Sequence, residues 1–190
     1  MSAPDPIAQA AGWQTPPQTT LQGGDEDVER EAGPERLRAS VRVEEPRWEP
    51  EDGVALADRV LCAVAASAHA PAGPATLDVV FSDDRTLGRL NGRFRGKDAP
   101  TNVLSFPSGD VADEGEAFFL GGIALAYETC AAEARERGIK FQQHATHLLL
   151  HGVLHLLGFD HQDDGEAREM ECLEVEILAT LGVADPYEGK

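Results

Sequence analysis

Apolar positions change period several times along the chain. Ser40-Val-Arg-Val-Glu44 alternates apolar and polar residues as a half-buried strand does, and Thr76 to Phe81 is a second run of β-type residues. Between them, Val54 to Ala70 is rich in Ala, Leu and Val, and Pro71 with Gly73 would stop a helix there. Ser82-Asp83-Asp84 carries N-cap chemistry, because a short side-chain oxygen accepts from the unpaired amides of a first turn. It predicts a helix through about Asn91, then a loop from Gly92 to Pro100. Thr101 to Phe106 reads as a strand closed by Pro107, and Phe118 to Ala126 as another, with Gly121 and Gly122 marking a bulge or a close backbone approach. An acidic, Gly-containing loop joins these two. Three helices follow, Tyr127 to Arg137, Gln142 to Leu157 and Glu166 to Leu181, each stopped by a glycine at 138, 158 or 182. Consecutive strands and a helical C-terminal half predict one domain of α+β or α/β class.

Residues 1 to 38 lack either period and carry repeated Pro, Gly and Gln with an acidic run from Asp25 to Glu31, which reads as a disordered tail. Residues 39–190 are then the folded domain. Of the 190 residues, 42% are apolar, enough for an ordinary core, and no apolar stretch approaches the roughly 20 residues of a membrane span. The first residues show neither a basic n-region nor an apolar h-region, so a cytoplasmic location is expected. Cys62, Cys130 and Cys172 are far apart and odd in number, and each reads as a reduced, small, buried hydrophobe.

Five of the six histidines fall between positions 144 and 161. His151 and His155 are four apart on a predicted helix, so their rings leave one face a turn apart. Gly158 can take the left-handed conformation that ends a helix, which brings His161 back towards the other two. Three imidazoles on one point suit one Zn2+ per chain, with a fourth position left for water, as in a catalytic site. His147, one turn before His151, is the alternative third ligand and reads better as a neighbour. Asp160 is either a partner that fixes a ligand imidazole or an ordinary turn residue. Asp163, Asp164 and Glu166 suit the N-terminus of the last helix, while His144 and His69 read as solvated or packing residues.

The spacing H-x3-H-x2-G-x2-H is that of metzincin proteases, so peptide hydrolysis is a rival reading. Those enzymes place a Glu directly after the first His, and this chain has Gly152. A substrate with charged oxygens would depend instead on cations. In a chain of net charge −18, Arg85 to Lys97 holds five basic residues within one predicted helix and the loop after it. Arg85 and Arg89 suit a solvated helix face. Arg93, Arg95 and Lys97 suit phosphate binding, Arg by a bidentate clamp and Lys as a point charge.

His151-Gly-Val-Leu-His155-Leu-Leu-Gly158-Phe-Asp-His161 resembles the H-G-x-L-H-L-x-G-[FY]-D-H signature of the YbeY family, endoribonucleases of rRNA maturation. Phe94-Arg95-Gly-Lys97-Asp98-Ala-Pro100-Thr101-Asn102-Val-Leu-Ser-Phe-Pro107 is similar to that family's second motif. The resemblance covers about residues 40 to 182. It implies an α+β fold with a central mixed sheet, zinc on His151, His155 and His161, and single-strand-specific cleavage of RNA. It further implies 3′ processing of small-subunit rRNA, ribosome quality control, and ribosomal particles as partners. By position, Arg95 matches the arginine that the family needs for activity. Arg95 and His151 are then the candidate catalytic residues, and Arg93 and Lys97, from the basic run, the candidate substrate-binding ones. The strand Leu120-Gly121-Gly122-Ile123 departs from the family's usual Leu-Gly-Asp-Ile. A zinc-containing ribosome-assembly factor without catalysis is the remaining alternative.

Overall fold

The computed structural model describes residues 29–108, 117–161 and 163–188. Five strands form one mixed sheet: β1 (Arg30–Ala32), β2 (Leu37–Val43), β3 (Ala75–Ser82), β4 (Val103–Pro107) and β5 (Phe118–Ala126). Their order is β1-β2-β3-β5-β4. β2, β3 and β5 run parallel, and β1 and β4 close the two edges antiparallel to their neighbours. The helices are α1 (Gly53–Ala66), α2 (Asp84–Arg95), α3 (Tyr127–Glu136), α4 (Phe141–Leu156) and α5 (Asp164–Thr180). This is the predicted α+β single domain with a central mixed sheet. Among the described residues no helix is long and apolar enough to cross a membrane.

The alternation along each strand sorts the two faces of the sheet. Leu37, Ala39, Val41, Leu77, Val79, Phe81, Ile123 and Leu125 pack with α1, α4 and α5 in the main core. Val80, Leu104, Phe106, Ala124 and Ala126 form a smaller core under α2, completed by Leu87, Leu90 and Phe94. Trp48 ties the ends together: its ring lies 4.8 Å from Phe81 and 5.0 Å from Phe141, and its indole N–H donates to the Ser82 carbonyl at 3.0 Å.

Several boundaries differ from the sequence reading, each for a local reason. The sheet begins at Arg30, inside the segment assigned to the tail through residue 38, because Ala32 and Leu37 are buried. A three-residue strand with one buried position leaves no alternation to detect. Residues 1 to 28 of that segment, and 109 to 116 of the acidic loop, lie outside the described residues. Helix α1 ends at Ala66 rather than Ala70, where the Ser67 hydroxyl donates to the Val64 carbonyl at 2.8 Å and closes the last turn. Helix α2 runs to Arg95 and is capped by Gly96, so Gly92 and Arg93 are helical and not part of a loop. The apolar stripe Leu87, Leu90, Phe94 explains this extension, since Phe94 stacks edge-on against Phe106 at 5.3 Å. Cys130 is buried as expected, but Cys62 and Cys172 are exposed, on the outer sides of amphipathic helices.

The glycine pair in β5 has a steric cause. Gly121 (φ 127°) sits at the bulge opposite Thr76 and Leu77, and a Cβ there would lie 2.1 Å from the Phe106 carbonyl oxygen. Only glycine lets β4 pair at that point.

Asp78 lies on the α2 side of β3, opposite Gly122. Burial, reinforced by Glu29 and opposed by Arg42, lifts its carboxyl from the usual 3.8 to about 6. Between those values the folded protein keeps a proton that the unfolded chain releases, so this residue's contribution to stability falls as pH rises through that window. Asp78→Asn is therefore expected to raise stability at about pH 8 by on the order of 2 kcal/mol, with the gain shrinking as the pH drops below the folded pKa. Urea unfolding of both proteins across that range checks this, and a gain independent of pH would refute it.

Candidate metal centre

The centre is built by one helix and the turn that ends it. Helix α4 is apolar over most of its surface, with Ala145, Leu148, Leu149, Leu150, Val153 and Leu154 in the main core. His151 and His155 share its less buried side. Gly158 takes φ 94°, its amide donates to the His155 carbonyl at 3.1 Å, and the Phe159 amide donates to the Leu154 carbonyl at 3.1 Å. The chain reverses, and Asp160 accepts the His161 amide at 2.8 Å. The His161 ring then lies 5.0 Å from that of His155 and 5.6 Å from that of His151. One ring nitrogen from each of the three lies within 4.8 Å of the others, the spacing of ligands around one ion.

The donor set fits a metal on hydrogen-bonding grounds. His151 Nδ1 lies 2.7 Å from Glu174 Oε1, and His155 Nδ1 lies 3.0 Å from the Phe159 carbonyl. Both partners only accept, so both Nδ1 atoms carry the proton. The two Nε2 atoms then face each other, 3.0 Å apart, each with a bare lone pair. Two lone pairs at that separation repel unless a cation lies between or beside them. Burial, then the neighbouring His151 and His161, lowers the pKa of His155 and favours its neutral, ligating form. Asp160 is 3.9 Å from His155 Nδ1, farther than the Phe159 carbonyl, so the carbonyl orients that ring and Asp160 shapes the turn. Asp163 caps α5, accepting from the Gly165 and Glu166 amides at 2.7 and 3.0 Å.

His147 is not brought to the cluster as a ligand. Its Nε2 lies 3.0 Å from Glu174 Oε2. His144 is buried rather than solvated, 2.6 Å from Glu133, whose carboxylate also accepts from Asn102 at 2.9 Å. His69 packs edge-on against Phe159, 5.4 Å between centroids, and so buttresses the metal-site turn. The sequence reading missed Glu174, Glu133 and Tyr187. Glu174 did leave a signal, a carboxylate on the apolar stripe Met170, Leu173, Ile177, Leu178 of α5.

The basic residues lie elsewhere. Arg93 and Arg95 are on the last turn of α2 and Lys97 follows it, all three exposed. Arg93 reaches over the Phe94 ring at 5.5 Å. Helices α2 and α4 occupy opposite faces of the sheet, and both pack against edge strand β4. Among the described residues no hydrogen bond or ion pair joins Arg95 or Lys97 to the three histidines.

Gly152 distinguishes this centre from the protease arrangement. A Cβ at that position would lie 2.9 Å from Ile123 Cγ2 and 3.1 Å from Ser105 Oγ, so residue 152 faces the sheet and has no room for a glutamate.

Fold and site together define a single-domain α+β protein with a three-histidine centre suited to a metal ion. Residues 42–182 match the family model described as Endoribonuclease YbeY, and the chain belongs to that family. Endoribonuclease YbeY of Chelativorans sp. (strain BNC1) is 47% identical over 162 residues, 84% of this chain and 99% of the relative. Endoribonuclease YbeY of Paramagnetospirillum magneticum is 45% identical over 157 residues, 80% and 96% of the two chains. The solution structure of TM1509 from Thermotoga maritima is similar at 22% identity and a TM-score of 0.46, over 79% of this chain and 99% of that one.

Gly152→Ala is expected to cost about 1–3 kcal/mol of stability, as overpacking of α4 against β4 and β5 does. Denaturant unfolding measures it. A cost near zero would show that the helix has room to move off the sheet.

Proposed function

We propose that this chain is a zinc-dependent, single-strand-specific endoribonuclease. The observation that carries this reading is the convergence of His151, His155 and His161, with bare Nε2 atoms on two of them, in a chain of the YbeY family. The relatives' endoribonuclease name gives the substrate class. A zinc ion held there would supply Lewis acidity towards a phosphate oxygen or activate water near neutral pH.

The protein's own groups supply binding and charge compensation. Arg95, helped by Lys97 and Arg93, holds a phosphate of the substrate, and the fixed guanidinium fork neutralises charge that grows on its oxygens during cleavage. Strand β4 is the edge of the sheet between α2 and α4, so an RNA strand crossing that edge would meet Arg95 from one side and the histidines from the other. His151 acts as a catalytic residue through its ring nitrogen. The acidic remainder of the chain repels phosphates and confines RNA to this basic end. Within this reading the physiological substrate is rRNA, cut during 3′ maturation of the small-subunit species and in ribosome quality control, with ribosomal particles as cytoplasmic partners.

His155→Ala is expected to lose both zinc and cleavage of end-labelled single-stranded rRNA fragments. Arg95→Ala is expected to keep zinc and lose about a hundredfold or more in cleavage rate, the scale of removing a charge-stabilising donor. Normal cleavage by the Arg95 variant would refute the phosphate role. RNA binding without cleavage by the zinc-loaded protein would instead favour a structural zinc in an assembly factor.

A further inference from the structure

Glu174 is fully buried, on the apolar side of α5. A carboxylate in such a place is costly unless its oxygens are matched by donors, and an apolar residue of similar volume would often serve packing as well or better. Three donors surround it. Oε1 receives His151 Nδ1–H at 2.7 Å, while Oε2 receives His147 Nε2–H at 3.0 Å and the hydroxyl of Tyr187. One oxygen therefore faces the metal centre and the other faces the C-terminal segment.

Two further details belong to this arrangement. His147 commits Nε2 to Glu174, and its Nδ1 is left buried without a hydrogen-bond partner among the described residues. An unpaired buried nitrogen is a cost that packing alone does not require. Tyr187 reaches the carboxylate from beyond the last helix, in a turn where Asp185 accepts the Tyr187 amide at 2.8 Å. Its ring lies edge-on to His147 at 5.7 Å. The segment after α5 thus closes over the network from outside.

We infer that Glu174 and Tyr187 are positioning residues of the metal centre, locking His151 in the Nδ1–H form that leaves Nε2 bare for the ion. The turn from Asp185 to Tyr187 is thereby a working part of the site. A free histidine side chain prefers the opposite tautomer, with the proton on Nε2 and no lone pair to offer there. Glu174 reverses that preference before any metal arrives, and Tyr187 holds Glu174 in place. The inference rests on the metal reading of the three histidines.

The test uses the full chain as wild type, Glu174→Gln, Tyr187→Phe and a distant control, Trp48→Phe. Nitrogen NMR of the histidine rings in metal-free protein reports the His151 tautomer, and competition with a chromogenic chelator reports zinc affinity. Glu174→Gln is expected to lose the pure Nδ1–H form and to weaken zinc binding by about ten- to a hundredfold. Tyr187→Phe, which keeps the ring and its packing, is expected to weaken zinc binding by about three- to tenfold, part of the same loss. Trp48→Phe is expected to lower thermal stability while leaving tautomer and affinity as in wild type. Zinc affinities of both site variants within about twofold of wild type, with an unchanged His151 tautomer, would overturn the inference. If wild type binds no zinc, the metal reading fails, and the tautomer in Glu174→Gln still decides whether the carboxylate sets the His151 proton.

Discussion

Helix α4 has to be a core helix and a site helix at once, and the rest of the structure answers to that constraint. Its apolar residues fill the space under the sheet, so histidines on the same helix are carried into or beside the core. A buried imidazole needs a partner. His144 takes Glu133 from α3, His147 and His151 share Glu174 from α5, and His155 takes the carbonyl of Phe159 in the closing turn. The neighbouring elements are therefore held to α4 by polar contacts as well as by apolar packing. The same contacts decide which nitrogen of each ring carries the proton.

Two glycines make this packing possible, in different ways. At Gly152 the absence of a side chain lets α4 lie directly on Ile123 of β5 and Ser105 of β4. At Gly158 a left-handed residue reverses the chain within one turn and returns His161 to the cluster. At Gly158 the constraint is backbone conformation, since an added Cβ would meet open space there, whereas at Gly152 it is the room between helix and sheet.

Positive charge is concentrated at one place in the chain. The chain as a whole is strongly acidic, at −18, yet the end of α2 presents Arg93, Arg95 and Lys97 with no acid from Arg85 to Lys97. Their position at the helix C-terminus is favourable in itself, since cations there offset the helix dipole. The sequence reading placed these residues in a loop from Gly92 to Pro100. In the structure the first two stand on a helix anchored by Phe94 against Phe106, which gives a phosphate-binding group a firmer base.

Local sequence determined a good deal. Period, caps and glycine stops located nine of the ten strands and helices above to within a few residues, because those signals act over one or two turns of chain. The cluster His151, His155, His161 was equally local, being one helix and the turn that follows it. What lay far apart in sequence was decided only by tertiary structure. Glu174 meets His151 across 23 positions, and Glu133 joins Asn102 across 31. Strand β1 exists because β2 offers it an edge, and α2 and α4 meet β4 from opposite faces because their apolar residues close two separate cores, one on each side of the sheet. No periodicity encodes such pairings. They follow from which buried polar groups must find partners once the apolar faces have closed.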